Sequence, residues 1–358
     1  MTAVTDKPVW RVIDTGVRRA AENIALNRAL LEARQQGLAP CTLRFLAFEP
    51  SALLGFHQSA AQELNLDWCA TQGVAIQRRI TGGGAIYMDP DQMGWEIYAD
   101  RDAVGSAQME HIARRICEAA AGALQTLGVA AAYRPRNDIE VDGRKISGTG
   151  GAFDGDALMY QGTLLLRFDV ERMLRVLNVP ADKLADKALA SAGERVTSLE
   201  QLLGRLPQRE HIQQALTRAL AEAFGVEFQP GGLTDDEQRL YAQALQEIDH
   251  PDWVDLIHHP ADERPTLEAS RRFQGGTLRV RIAWDAQQRR IRQIWFSGDI
   301  FISPRRALID LESVLRDTLG DRVEQQVLGF FADRNVDMLS LRPEDIVQLL
   351  HEAMDVQA

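Results

Sequence analysis

The chain has 358 residues, of which 45% are hydrophobic and 25% charged, with a formal net charge of −11. That length supports two domains with a sizeable core, and the composition is that of a globular protein. The acidic balance argues against a general nucleic-acid binder, which needs a basic surface to neutralise phosphates, and no apolar run approaches the length that spans a bilayer.

Residues 1–10 lack the apolar stretch of a signal peptide. Cys41, Cys69 and Cys117 are widely spaced with no Cys-x-x-Cys pattern, which reads as reduced thiols of a cytoplasmic protein. The seven histidines show no metal-ligand spacing. His258-His259 falls in a polar, Pro-bounded run and reads as solvated.

Residues 18–35 carry Ala20, Ala21, Ile24, Ala25, Leu30 and Leu31, an amphipathic helix ended by Gly37. Residues 42–48 read as a strand bounded by Pro40 and Pro50, and Ala52-Leu53-Leu54-Gly55 as a short buried strand. A short helix over 65–72 stops at Gly73. Val74-Ala75-Ile76-Gln77 alternates as a strand, Ala85-Ile86-Tyr87 begins another, and Trp95-Glu96-Ile97-Tyr98 is a third. Residues 108–127 form the clearest helix, with Ile112, Ile116, Ala119, Ala123, Leu124 and Leu127 on one face and Gly128 after it. A strand over 158–168 completes a mixed sheet. Residues 169–205 look helical and loop-like, with Lys183, Lys187 and Arg195 among small residues. Helices over about 209–225 and 234–248 come next. The Pro-, His- and Asp-rich run 250–265 reads as a linker. Beyond it, residues 278–284 alternate strictly and pair with 291–296 as a hairpin, and helices are predicted over 308–319 and 344–354. The expected organisation is therefore a first domain over 1–250 and a small α+β domain over 260–358.

Two stretches carry chemistry. The first is Arg78-Arg79-Ile80-Thr81-Gly82-Gly83-Gly84-Ala85-Ile86-Tyr87. Three glycines remove every Cβ over about 10 Å of chain, so the backbone can approach a ligand closely and aim N–H groups at it. An adjacent arginine supplies a bidentate partner for a carboxylate or phosphate. Read blandly, the stretch is a flexible turn with solvated arginines. The second is Asn137-Asp138-Ile139-Glu140-Val141-Asp142-Gly143-Arg144-Lys145-Ile146-Ser147-Gly148-Thr149-Gly150-Gly151. It reads as strand, Asp-Gly turn of type I′ and strand, with Lys145 just past the turn. A solvated edge-strand lysine is the bland reading there.

Taken together the two stretches resemble the lipoate-protein ligase family, within the wider group of biotinyl- and lipoyl-ligases and transferases. The family's pattern is an Arg-Arg-x-Ser/Thr-Gly-Gly-Gly-Ala loop, an Asn-Asp-hydrophobic strand and a Gly-x-Lys-hydrophobic-x-Gly hairpin, and all occur here in order. Leu54-Gly55-Phe56-His57-Gln58 resembles its early Gly-x-x-Gln segment, Tyr160-Gln161-Gly162-Thr163-Leu164-Leu165 its Gly-Thr-Leu-Leu strand, and Arg195-Val196-Thr197-Ser198-Leu199 its Val-Thr-Ser-Leu element. The likeness spans roughly residues 10–225, and the C-terminal hundred more weakly.

The resemblance implies an α+β fold: mixed and antiparallel sheets flanked by helices in a biotinyl/lipoyl-ligase-like catalytic domain, plus a C-terminal accessory domain. It implies that lipoate and ATP give lipoyl-adenylate and pyrophosphate, and that an acceptor lysine then attacks and releases AMP. Lys145 would hold the carboxylate against the α-phosphate, and Arg79 would pair with the phosphate or carboxylate. Arg78 could substitute, although strand alternation turns only one of the two toward the site. Thr81, Gly82, Gly83, Gly84, Ala85, Ile86 and Tyr87 would surround the nucleotide or acyl group. Asn137, Asp138, Gly148 and Thr149 would contribute to binding, with Asp138 also the expected Mg²⁺ ligand.

The expected acceptors are the E2 component of a 2-oxoacid dehydrogenase, the glycine-cleavage H protein or an H-like lipoate-binding protein, with no nucleic acid or membrane partner. The chain departs from the pattern at Met88-Asp89, at Gln92-Met93-Gly94-Trp95 and at Gln161, changes that alter acyl-pocket polarity. They suggest a branch serving lipoate-binding proteins of sulfur oxidation. The competing reading is an octanoyl- or lipoyl-transferase, whose members of this fold use a cysteine near or after the lysine hairpin; this chain has none after Cys117. A biotin ligase lacks support because the Gly-Arg-Gly-Arg-type loop is absent. A non-catalytic lipoyl-binding protein sits poorly with the retained Arg79, glycines and Lys145.

Overall fold

A computed structural model describes residues 7–106, 108–135, 137–178, 193–257 and 266–355. Lys183, Lys187, His258-His259 and the rest of the expected linker over 258–265 lie outside these residues. The strands in chain order are β1 (Val9–Arg18), β2 (Thr42–Phe48), β3 (Ser51–Leu54), β4 (Ala75–Arg78), β5 (Ile86–Met88), β6 (Gln92–Asp100), β7 (Ala132–Arg134), β8 (Asp138–Val141), β9 (Arg144–Asp154), β10 (Ala157–Leu165), β11 (Glu227–Pro230), β12 (Thr266–Phe273), β13 (Gly276–Asp285), β14 (Arg290–Gly298), β15 (Ile302–Ser303) and β16 (Asp337–Met338). The longer helices are α1 (Ala20–Gln35), α2 (Met109–Thr126), α3 (Arg209–Phe224), α4 (Asp235–Ile248), α5 (Ala307–Leu315), α6 (Val323–Ala332) and α7 (Pro343–Asp355).

The fold is α+β, with sheets flanked by helices. It forms two compact units, Met1–Ala52 with Asn65–Gln77 and Ile86–His250, and Leu53–Leu64 with Arg78–Ala85 and Pro251–Ala358. The last crossing from the first unit to the second follows His250, and segments 53–64 and 78–85, including the glycine loop, also belong to the second unit. No helix among the described residues is long and apolar enough to cross a membrane.

The first unit is built on an eight-stranded sheet in the order β11-β1-β2-β6-β10-β9-β8-β7. β1 runs parallel to β11 and β2, and the remaining pairings are antiparallel. Strand alternation gives the sheet two faces. Leu43, Phe45, Trp95 and Ile97 pack with Ile112, Ile116, Leu124 and Leu216 of α2 and α3 in one core. The opposite face carries Arg44, Glu96 and Tyr98 toward α1. There Arg44 donates to Glu96 at 3.1 Å and to the Asn23 side-chain oxygen at 2.5 Å, while Asn27 and the Tyr98 hydroxyl donate to Glu96 at 2.6 and 2.7 Å. All five are buried, so each charge has its partner, as a buried ion pair requires. β1 escapes the periodicity because its alternation breaks at Gly16 (φ +69°), where its register against β2 also shifts.

In the second unit, β12-β13-β14 form an antiparallel sheet. Leu278, Val280, Ile282, Ile294 and Phe296 from it pack with Leu308, Leu311, Val327, Ile346 and Leu350 of α5, α6 and α7. The hairpin and the two helices read from sequence are present, and β12 and α6 join them.

Burial pushes the Glu312 carboxyl on α5 up to about 7, although the Phe296 N–H donates to it at 2.7 Å and opposes the shift. The folded chain therefore keeps this proton to about pH 7, whereas an unfolded chain loses it near 4.5. The folded state binds more protons in that window, so stability falls as pH rises through it. Glu312→Gln should stabilise the fold more at pH 8 than at pH 5, by roughly 1–3 kcal/mol, and raise the melting temperature accordingly. Equal gains at the two pH values in a thermal melt would refute the assignment.

Candidate functional site

The Lys145 hairpin lies in the first unit and turns as the sequence suggests. Asp142 and Gly143 have φ of +50° and +75°, the left-handed pair of a type I′ turn. The register beyond the turn could not be read from spacing. Ile139 pairs with Ser147 and Glu140 with Lys145, so Ile146 has no partner in the ladder and β9 bulges there. Strict alternation puts residues 145 and 148 on opposite faces; one extra residue returns them to the same face. A Cβ on Gly148 would lie 2.7 Å from both Cε and Nζ of Lys145. The ammonium is thus laid over a strand that has no side chain beneath it. Gly148 faces Asp138 across the ladder, and Lys145 Nζ reaches Asp138 Oδ1 at 2.7 Å.

The backbone of Lys145 is held from its other side by a distant element. Its N–H donates to Arg195 O at 2.9 Å, and Thr197 N–H donates to Lys145 O at 2.9 Å. Two of the motifs read from sequence therefore meet at this lysine. Thr163, from the Gly-Thr-Leu-Leu strand, donates to Gly148 O at 3.3 Å, so a third motif abuts the same glycine. The Lys145 side chain remains 40% exposed, so the pair adds little stability. What it provides is an ammonium aimed by a carboxylate.

Asn137 and Thr149 clamp the strands beside this pair. Asn137 Nδ2 donates to Thr149 O at 2.7 Å, and both Thr149 N–H and its hydroxyl donate to Asn137 O, at 2.8 and 2.9 Å. The Thr149 hydroxyl faces the interior, 2.7 Å from the Tyr160 hydroxyl and 3.3 Å from Cys117 Sγ. Sequence reasoning did not single out Tyr160 for chemistry. The available signal was Gly151, its partner across the β9–β10 ladder, where a Cβ would come 2.7 Å from the Tyr160 ring.

The glycine loop is part of the second unit. Arg78 is fully buried and donates to the carbonyls of Gly55 (3.1 Å), Phe56 (2.8 Å), Gln58 (2.6 Å), Trp253 (3.1 Å) and Val254 (2.5 Å). Arg79 is buried as well and donates to Leu53, Gly82 and Gly84 carbonyls at 2.9, 3.1 and 2.9 Å. The expected division, one arginine turned to a ligand and one away, is replaced by two that gather main-chain oxygens. The reason is that a bent, glycine-rich backbone turns carbonyls inward with no ladder to receive them, and a five-donor guanidinium collects several at once.

The glycines themselves meet other backbone. A Cβ on Gly55 would lie 1.8 Å from Gly83 O, and one on Gly82 would lie 2.1 Å from Ile300 O. Gly83, at φ +93°, donates its N–H to Ile300 O at 3.1 Å, and Phe301 lies where its Cβ would be. Thr81 is buried and its carbonyl accepts from Phe56 N–H at 2.9 Å. Gly84 and Ala85 are half-buried. Ile86, half-buried, and Tyr87, buried, start the next strand in the first unit.

Titration separates the candidate groups. Burial pushes the thiols of Cys41, Cys69 and Cys117 up, away from the thiolate form a nucleophile needs. Burial, aided by Arg78, pushes the His57 imidazole down to about 3, so it is neutral at physiological pH. No group of three His, Cys, Asp or Glu residues suited to a metal occurs among the described residues. Since Asp138 is already paired with Lys145, the residues present do not fit a protein-held Mg²⁺ ion.

Residues 19–221 match the family described as the lipoyl protein ligase A/B catalytic domain. Octanoyltransferase LipM of Moorella thermoacetica is 28% identical over 268 residues, covering 68% of this chain and 97% of its own. Lipoate–protein ligase 1 of Staphylococcus aureus is 27% identical over 299 residues, covering 83% and 87%. A solved structure of the bi-partite lipoate protein ligase and E2 lipoyl domain system of Thermoplasma acidophilum aligns with a TM-score of 0.63 at 25% identity. It covers 72% of this chain and 99% of the solved one.

The two kinds of glycine contact predict opposite outcomes. Gly148→Ala meets only the tip of a flexible lysine, so the melting temperature should hold while catalysis falls about 10²-fold through a displaced ammonium. Gly55→Ala meets a backbone carbonyl and should destabilise by about 1–3 kcal/mol or more. Melting curves and turnover for both variants check this, and a Gly148→Ala enzyme with full turnover would contradict the role of the glycine floor.

Proposed function

The chain belongs to the lipoyl protein ligase A/B catalytic family, and from that membership we propose that it activates lipoate with ATP and ligates it to a lysine of a lipoyl-acceptor domain. The observation that carries this reading is the Lys145 ammonium, aimed by Asp138 over the strand at Gly148. A carboxylate does not acylate an amine unaided, because its carbonyl is a poor electrophile and oxide a poor leaving group. Attack of a lipoate oxygen on the α-phosphorus of ATP expels pyrophosphate and leaves lipoyl-AMP, a mixed anhydride. The acceptor amine then attacks the acyl carbon, and AMP leaves.

In this scheme Lys145 brings the two anions together and neutralises charge as the new P–O bond forms. Fixed contacts of this kind are worth about 2.7–4 kcal/mol each. Asp138 serves as its aiming partner rather than as a metal ligand. Thr81, Gly82, Gly83 and Gly84 are assigned to the nucleotide, and Ala85, Ile86 and Tyr87 to the lining of the nucleotide or acyl pocket. Arg79 acts through the loop, whose Gly82 and Gly84 carbonyls it holds, and Arg78 through the neighbouring segments at 55–58 and 253–254. Gly148 gives the ammonium its room, and Asn137 with Thr149 fixes the strand it aims from. The acceptor is assigned as a lipoyl domain, with H-like lipoate-binding proteins of sulfur oxidation as the preferred class, given the departures at Met88 and Gln161.

Octanoyl transfer is the second reading, favoured by the likeness to LipM. A thioester route needs an accessible thiolate, and the three thiols here have raised pKa values, with Cys69 and Cys117 buried and Cys41 partly so. Incubation with a lipoyl domain, lipoate and Mg²⁺ should add the lipoyl mass to the acceptor only when ATP is present. Mass gained from an acyl-carrier thioester without ATP would favour the transferase instead. Lys145→Ala should lower lipoate-dependent ATP–pyrophosphate exchange about 10²–10³-fold with the melting temperature unchanged. Changing Cys41, Cys69 and Cys117 together to serine should leave ligation intact; its complete loss in a folded protein would restore the thioester route.

A further inference from the structure

The first unit contains a neutral polar cluster of which the scheme above uses only Thr149. Cys117 on α2, Thr149 on β9 and Tyr160 on β10 are all buried. Their side chains form a triangle, with Thr149 Oγ1 to Tyr160 Oη at 2.7 Å and Cys117 Sγ to each oxygen at 3.3 Å. Proton counting fixes its direction. The Thr149 hydroxyl has one proton and donates it to Asn137 O. The oxygen of Thr149 must therefore accept from Tyr160, whose phenol burial holds well above its ordinary pKa and so keeps protonated. The Cys117 thiol, also held protonated by burial, lies 3.3 Å from both oxygens, within reach of either as a weak donor. The chain of donors ends on the carbonyl of Asn137, one residue before Asp138.

We propose that Tyr160 and Thr149 are positioning residues for the reaction, holding the Asn137 carbonyl so that Asp138 keeps the Lys145 ammonium aimed over Gly148. The inference rests on the ligase reading for the reaction it serves, but its geometry stands independently. A threonine alone already clamps Asn137 through its backbone N–H and hydroxyl. What Tyr160 adds is a fixed rotamer for that hydroxyl, since it supplies the proton that Thr149 accepts. Its ring reaches this place because Gly151, opposite it, has no Cβ. Cys117 closes the triangle as a weak donor, a place serine can fill.

The test is kinetic, on the full chain. Tyr160→Phe, Thr149→Val, Thr149→Ser and Cys117→Ser are compared for kcat and KM in lipoate-dependent ATP–pyrophosphate exchange, and for melting temperature. Tyr160→Phe and Thr149→Val should lower kcat about tenfold, as a small misplacement of an aimed group does, with KM for ATP and lipoate within about twofold. Thr149→Ser, which keeps the hydroxyl, should recover most of kcat, and Cys117→Ser should retain it. Tyr160→Phe removes one oxygen and keeps the ring, so it carries the test alone if Thr149→Val does not fold. Unchanged kcat in Tyr160→Phe, or a Thr149→Ser enzyme as impaired as Thr149→Val, would overturn the proposal. If the unmodified enzyme shows no ATP-dependent exchange, the ligase reading fails by itself. The same four variants are then ranked in acyl transfer from an acyl-carrier thioester, where the positioning role predicts the same order.

Discussion

The contact on which the proposed chemistry of the first unit depends is a single ion pair made across a strand. Lys145 and Asp138 are not cross-strand partners; Glu140 faces Lys145 and Gly148 faces Asp138. Their charges meet because a bulge at Ile146 changes the face of Lys145 and a glycine at 148 leaves the intervening space open. A half-exposed pair of this kind contributes little to folding. Its geometry is nevertheless over-determined: the lysine sits opposite Glu140 of β8 on one edge, and its N–H and C=O are both bonded to the segment at Arg195 and Thr197 on the other. So much fixing of one weakly stabilising contact is the signature of a group whose direction matters more than its stability.

The glycine loop gives a second physical lesson. Three consecutive glycines invite the reading that backbone must approach a ligand, and that reading names one kind of close neighbour. Within the second unit the neighbours are the carbonyls and side chain of Ile300 and Phe301, and Gly55 meets Gly83 for the same reason. Both arginines are occupied with main-chain carbonyls, Arg79 with those of Gly82 and Gly84 in the loop and Arg78 with those of Gly55, Phe56 and Gln58 and of Trp253 and Val254. Their burial is costly enough to push each guanidinium down to about 10, yet both stay charged at neutral pH, and charged donors make the stronger bonds to carbonyls. The loop is therefore a stiff object rather than a flexible turn with solvated cations. Stiffness of this sort is what a preorganised binding segment needs.

Much of the fold was legible because local signals agreed with one another. The period of α2, the Asp142-Gly143 turn and the alternation of β13 each reflect one kind of periodicity or turn chemistry, and the structure has each of them. β1 was not legible, because a positive-φ glycine and a register shift interrupt its pattern. Membership of residues 53–64 and 78–85 in the second unit was also hidden, since contacts made across some two hundred residues leave no mark on local pattern. At the site, Lys145 and Asp138 could be named from the resemblance to the family's motifs, but strict alternation puts Lys145 and Gly148 on opposite faces. Tyr160 stayed invisible because its role depends on Gly151 as its partner and Thr149 as its acceptor.

The two buried polar networks on the sheet differ in kind, and the difference comes from what lies beside them. On the face toward α1, Arg44 and Glu96 carry full charges and satisfy each other with help from Asn23, Asn27 and Tyr98. Such an arrangement ties down strand and helix, and the field of its opposite charges largely cancels. Beside the Lys145 hairpin the buried groups are a thiol, a hydroxyl and a phenol, all neutral and all held protonated or used as donors. A buried charge there would act on the ammonium through a low dielectric and compete with Asp138 for it. Neutral donors hold the same backbone in place without adding to the field, so the ammonium answers to Asp138 and, in the proposed reaction, to the anions of its substrates.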